Sequence, residues 1–321
     1  MLRPPRVGSA AVAMALVCAA PAPAAATYSI AAVDRATAQV GGAGASCVGD
    51  QSVRIIYGVA PGRGVVHAQA FVNTDGRDEA VSLLEREAAP ADIIALLTAP
   101  DFDPQAALRQ YGVVDLEGRA AAFTGDQNGD FAGDRQGAAG STVFTVQGNI
   151  LTGAAVIDRA AAAFEGGGCD LADRLMLALE AGAENGEGDS RCTGGGVPAD
   201  SGFIEVDLPG EAPGSYLRLE ATGTGDDSPV ALLRQQYDAW RADNPCPSAV
   251  PDAAPEPTPD AGAPDAGSGG GSDAGPAGGA DDTVDDGGCG GCGASGRGKS
   301  GGRVRLLLLA LALLAVRRAL R

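Results

Sequence analysis

Thr27-Tyr28-Ser29-Ile30-Ala31-Ala32-Val33-Asp34 reads as a β-strand that begins with a hydroxyl. A second β-leaning run, Gln39 to Cys47, follows across Asp34-Arg35-Ala36-Thr37-Ala38, so the two runs form a hairpin. With the turn centred near Ala36 and Thr37, Ser46 lies across from Thr27, to within about two residues of register. Upstream, residues 1–26 read as a secretory signal peptide: Arg3 and Arg6, an apolar run from Val7 to Cys18, then Ala24-Ala25-Ala26 as the small-residue cleavage site. Cleavage after Ala26 makes Thr27 the new N-terminus. Its free α-amine, with a pKa of roughly 7.7–8.0, can then take the proton from its own Oγ as that oxygen attacks a carbonyl. An ordinary first strand is the competing reading, because threonine is common in strands.

Further motifs follow in order: Gln69-Ala70 with Asn73, Arg109-Gln110 before Gly112-Val113-Val114-Asp115, Thr124-Gly125, Gln147-Gly148-Asn149-Ile150-Leu151, Arg174-Leu175, and Gly188-Asp189 with Arg191. Together with Thr27-Tyr28-Ser29-Ile30 and Val33-Asp34, this series resembles the family catalogued as domain of unknown function 1028, over roughly residues 27–245. The family is similar in fold to the N-terminal-nucleophile (Ntn) hydrolases. The resemblance implies an α+β fold, a four-layer αββα sandwich, with the first residue of the exported chain at the site. It implies no substrate, because none is established for the family.

The 321 residues divide into the signal peptide (1–26), a domain (27–245), a disordered linker rich in Pro, Ala, Asp and Gly (246–288) and a C-terminal sorting signal or membrane anchor (289–321). The domain's roughly 220 residues suffice for one substantial core. Formal charge is −18, and residues 1–26 and 293–321 hold nine basic and no acidic residues, so removing both ends would lower it to −27. Such a surface repels nucleic acid, and no basic stripe with aromatics offsets it.

Within the domain, Ser52 to Ile56 and Val65 to Phe71 read as strands separated by Pro61-Gly62-Arg63-Gly64. His67 is the single histidine and sits mid-strand with no metal-ligand pattern around it, so it reads as structural. Zinc has no second histidine to use, and no cofactor or metal is expected. Two packing helices follow, Arg77 to Arg86 and one opened by Pro90. Gln110 to Asp115 and Arg119 to Thr124 then read as a hairpin that begins the second β-layer. Asp126-Gln127-Asn128-Gly129-Asp130 resembles the start of a calcium loop, but its twelfth position is Gly137 where a bidentate acid is needed.

Val143 to Val146 reads as a strand running into Gln147-Gly148-Asn149. There the Asn149 amide either donates to a developing oxyanion or caps the helix Ala154 to Phe164. A leucine-spaced helix spans Asp170 to Ala181. Lys299 is the only lysine, so a positive partner for Thr27 must be an arginine. Arg191 with Asp189 is the candidate, and a buried structural ion pair is the competing reading. The family's usual continuation, Gln-Ser-Ala, is replaced here by Ala199-Asp200-Ser201 after an inserted loop. Gly202 to Asp207 and Tyr216 to Thr222 supply two strands, and Ser228-Pro229 starts a last helix that Tyr237 and Trp240 anchor.

Cys47, Cys169, Cys192 and Cys246 form an even set for an oxidising compartment, with three pairings open. A Cys169–Cys192 bridge would close one helix and its loop, worth about 3 kcal/mol in the chain-entropy model. Beyond the linker, Cys289-Gly290-Gly291-Cys292, the apolar run Leu306 to Val316 and Arg317, Arg318 and Arg321 resemble the myxobacterial sorting signal MYXO-CTERM. The alternative is an intact short anchor, although eleven apolar residues fall short of the roughly 20 of a permanent span.

The sequence thus reads as an exported domain tethered at the cell surface or outer membrane. Its expected partners are an unknown small-molecule or peptide amide, signal peptidase and the sorting machinery, with membrane contact through residues 306–316 before processing. The expected chemistry is amide hydrolysis, with Thr27, Ser46, Asn149, Asp189 and Arg191 as site residues. The alternative is a non-catalytic binding or structural cell-surface module on the same fold.

Overall fold

The computed structural model describes residues 26–192, 194, 196–223 and 228–247. The expectations for residues 1–25, for most of the linker and for residues 289–321 therefore lie outside it. No helix among the described residues is long and apolar enough to cross a membrane.

The opening strand β1 (Thr27–Asp34) and β2 (Gln39–Ser46) form a hairpin that places Thr27 directly opposite Ser46. After β3 (Tyr57–Ala60) and β4 (Gly64–Ala70) come α1 (Thr74–Glu85) and α2 (Pro90–Leu97), then β5 (Arg109–Asp115) and β6 (Ala120–Thr124). The chain continues through β7 (Gly133–Ala139), β8 (Thr142–Asn149), α3 (Ala154–Gly166) and α4 (Leu171–Gly182), and ends with β9 (Ser201–Asp207), β10 (Leu217–Thr222) and α5 (Pro229–Asp243). The strands form a six-stranded sheet in the order β10-β9-β2-β1-β8-β7 and a four-stranded sheet in the order β3-β4-β5-β6. Their named pairings are all antiparallel.

Three apolar clusters show how the layers stack. Tyr28, Ile30 and Ala32 of β1 pack with Phe164 of α3, Leu175 and Leu179 of α4, and Leu233 and Tyr237 of α5. Alternate residues Ala31 and Val33 face the other way, against Val65 and Val114 of the second sheet. On the far side, Val66, Ala68 and Val113 pack under Ala80 and Leu84 of α1 and Ile93 and Leu97 of α2. The result is the four-layer αββα sandwich that the resemblance implies. Both β1 and β2 are buried along almost their whole length, which explains why their sequences are apolar or small on both faces.

The structure corrects several expectations. Ser52 to Ile56 is not a strand: Val53–Ile56 is a 3-10 helix whose first turn is capped by the Ser52 side chain, which accepts from the Arg54 N–H. Val53 and Ile56 are its buried residues, three apart, which suits the three-residue turn of a 3-10 helix better than the alternation of a strand. The second sheet begins earlier than the β5–β6 hairpin, because β3 and β4 already belong to it. Asn149 is not a helix cap. The β1–β8 ladder holds it in β8, opposite Thr27, and α3 starts later with Gly153 at its N-cap.

Of the three pairings left open, the structure selects one in which Cys169 does not bond Cys192. The disulfides are Cys47–Cys192 and Cys169–Cys246. Cys192 turns back to β2 because the neighbouring Asp189 carboxylate accepts from the Cys47 N–H at 2.6 Å. Cys246 meets Cys169 because Arg241 of α5 donates to both oxygens of Asp170, at 2.7 and 2.8 Å.

Candidate active site

Four adjacent strands bring one polar residue each to the same end of the six-stranded sheet. In register across β9, β2, β1 and β8 these are Ser201, Ser46, Thr27 and Asn149. Directly opposed residues project from the same face. Alternation along β1 puts Thr27 on the face of Ala31 and Val33, so the row looks into the space between the two sheets.

The Thr27 hydroxyl donates to Ser46 Oγ at 3.1 Å. Ser46 Oγ in turn donates to the carbonyl oxygen of Ala26. From the opposite sheet, Gln69 Nε2 reaches the Thr27 carbonyl at 3.3 Å, Gln110 Oε1 at 2.8 Å and Asn149 Oδ1 at 3.5 Å. Gln69 Oε1 accepts from Ser29 Oγ at 2.6 Å, and Ser29 Oγ accepts from Gln147 Nε2 at 2.7 Å. These amides are fully or almost fully buried. They fasten the two sheets together beneath Thr27, because burial favours amides that find partners across the interlayer; Gln147 Oε1 is left without one.

On the other side of Thr27 stands the loop that follows α4. Asp189 is wholly buried and is held by a bridge to Leu151 and by its own N–H to the Pro198 carbonyl at 2.9 Å. Its carboxylate accepts from the Arg191 N–H at 3.0 Å and from the guanidinium at 2.7 and 3.1 Å. Burial pushes the Asp189 carboxyl above its usual range, and Arg191 with the Arg191 and Cys47 N–H groups offsets only part of that. The guanidinium, half-buried, also reaches the Cys47 carbonyl and, at 3.3 Å, the Ala26 carbonyl. Asp200 ties the same region down, accepting from the N–H groups of Val48 and Gly49 at 2.7 and 2.9 Å.

All five residues singled out from the sequence therefore lie at one place. Thr27, Ser46 and Asn149 come together through sheet register, and Asp189 with Arg191 through the Cys47–Cys192 staple. Sequence reasoning missed Ser201, Gln110 and the Gln147–Ser29 contact as parts of this layer. Only the alternation of β9 carried a signal for Ser201. His67 is buried one row deeper, edge-on to Tyr57 with ring centroids 5.7 Å apart, and takes no part in the row. The Asp126–Asp130 loop is shaped by buried Asn128, whose Nδ2 donates to the Arg109 carbonyl at 2.8 Å.

Residues 27–220 match the family of unknown function DUF1028. The chain belongs to this family. It is also similar to the crystal structure of a DUF1028 protein from Silicibacter pomeroyi, at 28% identity and a TM-score of 0.56, covering 67% of this chain and 89% of that one. No curated protein matches the chain. The DUF1028 match begins at Thr27 itself, the residue at the centre of the polar row.

Proposed function

We propose that this DUF1028 protein is an exported amidohydrolase whose nucleophile is Thr27 once the preceding residues are removed. The observation that carries the reading is the placement of Thr27 at the first position of a central strand, flanked in register by Ser46 and Asn149 and faced by the Asp189–Arg191 pair. In the mature chain the Thr27 α-amine serves as base for its own Oγ, so the single histidine is not needed. Thr27 Oγ attacks the amide carbon, the leaving amine takes the proton back, and water repeats the sequence to release the acid. Asn149, on the β8 side, is one candidate amide donor for the tetrahedral intermediate. Surface tethering through residues 289–321 would keep this activity at the cell exterior.

One observation favours the second reading, a binding or structural module. Thr27 is only 1% exposed with Ala26 in place. The test uses the domain beginning at Thr27 and a β-lactone, an electrophile that captures terminal threonines. Wild type is expected to label on Thr27, Thr27→Ser to retain part of the labelling, and Thr27→Ala or a chain with one extra N-terminal residue to lose it. Equal labelling of wild type and Thr27→Ala would leave the binding module as the better account. N-terminal sequencing of exported native protein should begin at Thr27, and a start two or more residues away would remove the nucleophile.

A further inference from the structure

We infer that Ser46 and Arg191 bind the carbonyl oxygen of the acyl group that Thr27 attacks; the inference rests on the amidohydrolase reading above. The chain itself supplies the marker. Ala26 is joined to the Thr27 nitrogen, and its carbonyl oxygen accepts from the Ser46 hydroxyl and from Arg191 Nη2 at 3.3 Å. In the mature chain that nitrogen is the base. An acyl carbon under attack by Thr27 Oγ must lie close to both Oγ and the amine, because the proton passes between them. The carbonyl carbon of Ala26, bonded to that nitrogen and one side chain away from Oγ, already occupies this neighbourhood. An acyl group placed there directs its oxygen to the same two donors.

Both donors are held in position before any substrate arrives. Ser46 is wholly buried at the end of β2, and the Thr27 hydroxyl donates to its oxygen at 3.1 Å. A serine hydroxyl has a single proton, so a donor on its oxygen side leaves that proton for the carbonyl. The Arg191 guanidinium is gripped by both Asp189 oxygens and by the Cys47 carbonyl. The Cys47–Cys192 bridge joins the residue after Ser46 to the residue after Arg191, which fixes the spacing of the two donors. Pre-positioned donors are the arrangement that favours charge appearing on the oxygen.

In the step itself, Thr27 Oγ bonds to the acyl carbon, its proton moves to the α-amine, and the carbonyl electron pair moves onto oxygen. Ser46 O–H and the Arg191 N–H hold that oxyanion without losing a proton, since a guanidinium does not deprotonate in proteins. The pair then returns to re-form the carbonyl, the carbon–nitrogen bond breaks, and the leaving nitrogen takes the proton from the amine.

The experiment measures the rate of β-lactone acylation of the domain beginning at Thr27, with circular dichroism to confirm folding. Ser46→Ala and Arg191→Gln should each slow acylation by about 10²–10³-fold, the size found for loss of one oxyanion donor, and Arg191→Lys should recover part. Wild-type rates in both Ser46→Ala and Arg191→Gln, with slowing confined to Asn149→Ala, would place the oxygen on the β8 flank. That result overturns this inference and leaves Thr27 as nucleophile. Labelling that survives Thr27→Ala instead overturns the amidohydrolase reading. A second measurement is independent of reactivity. In the domain retaining Ala26 with a carbon-13 carbonyl, the Ala26 carbonyl shift should move upfield in Ser46→Ala and in Arg191→Gln, and an unchanged shift overturns the donor assignment.

Discussion

Lowering the pH from 8 to 5 should destabilise the folded domain through His67, the single histidine. Its ring is fully buried between Tyr57 and Phe203, with centroids 5.7 and 5.8 Å away, and burial lowers its pKa from 6.5 to about 3. The neighbouring amide reinforces this direction. Gln147 Nε2 lies 3.4 Å from Nδ1 and also donates to Ser29, so a proton on Nδ1 would face another N–H. The unfolded chain binds the histidine proton near pH 6.5 while the folded one does so only near pH 3, so between these values the unfolded state holds more protons. Stability is therefore complete above the unfolded pKa and falls as pH drops through that window. The loss is about 2 kcal/mol by pH 5 and grows toward pH 3. Urea unfolding at pH 8, 6 and 5 measures it, and His67→Gln supplies the reference. Carboxylates such as Asp189 and Asp207 titrate in both proteins, so the difference in pH slope isolates the imidazole. Equal slopes in wild type and His67→Gln, or an imidazole carbon resonance that titrates near 6.5 in the folded domain, would refute the reasoning.

Gly42→Ala should lower stability by about 1–3 kcal/mol or more, as overpacking does, because a Cβ there would lie 2.3 Å from His67 Nε2 and 3.0 Å from the Tyr57 ring; thermal unfolding reads the loss, and His67→Ala on the same background should restore part of it. Non-reducing peptide mapping should recover Cys47–Cys192 and Cys169–Cys246. Cys246→Ser opens a loop with a sequence separation of 77 and should cost about 4.5 kcal/mol in the chain-entropy model, with denaturant midpoints as the measure. If the chain is exported to the surface as proposed, its intact mass should lack Leu306 to Arg321, and their retention would favour a plain anchor.

Much of the scaffold is legible in local pattern. The hairpin of β1 and β2, the Pro90 start of α2, the Gly118 turn at φ 86° and the leucine-spaced α4 each follow from backbone preferences or periodicity that act over a few residues. β7 is not legible in the sequence because Gly133–Ala139 is an edge strand, largely exposed or half-buried and rich in small and polar residues, so neither face carries an apolar alternation. The 3-10 helix at Val53–Ile56 reads as a strand because its β-branched residues favour strands by composition, while its conformation is set by the Ser52 cap and by burial of Val53 and Ile56.

The sequence by itself determined that Thr27 opens a strand, that Ser46 falls opposite it across a short turn to within about two residues, and that no lysine is available as a cation in the domain. These depend on chain order and on pairing over a short loop, where register follows from counting. Tertiary structure alone decided that Asn149 is a strand neighbour of Thr27 and not a helix cap, and that Cys47 bonds Cys192 and not another cysteine. It also decided that Gln69, Gln110 and Gln147 share one interlayer network with Ser29. Each of these contacts joins residues about 40 or more positions apart. Their partners are selected by the stacking of two sheets and by the cost of leaving polar groups unpaired between them, which no local stretch of sequence expresses.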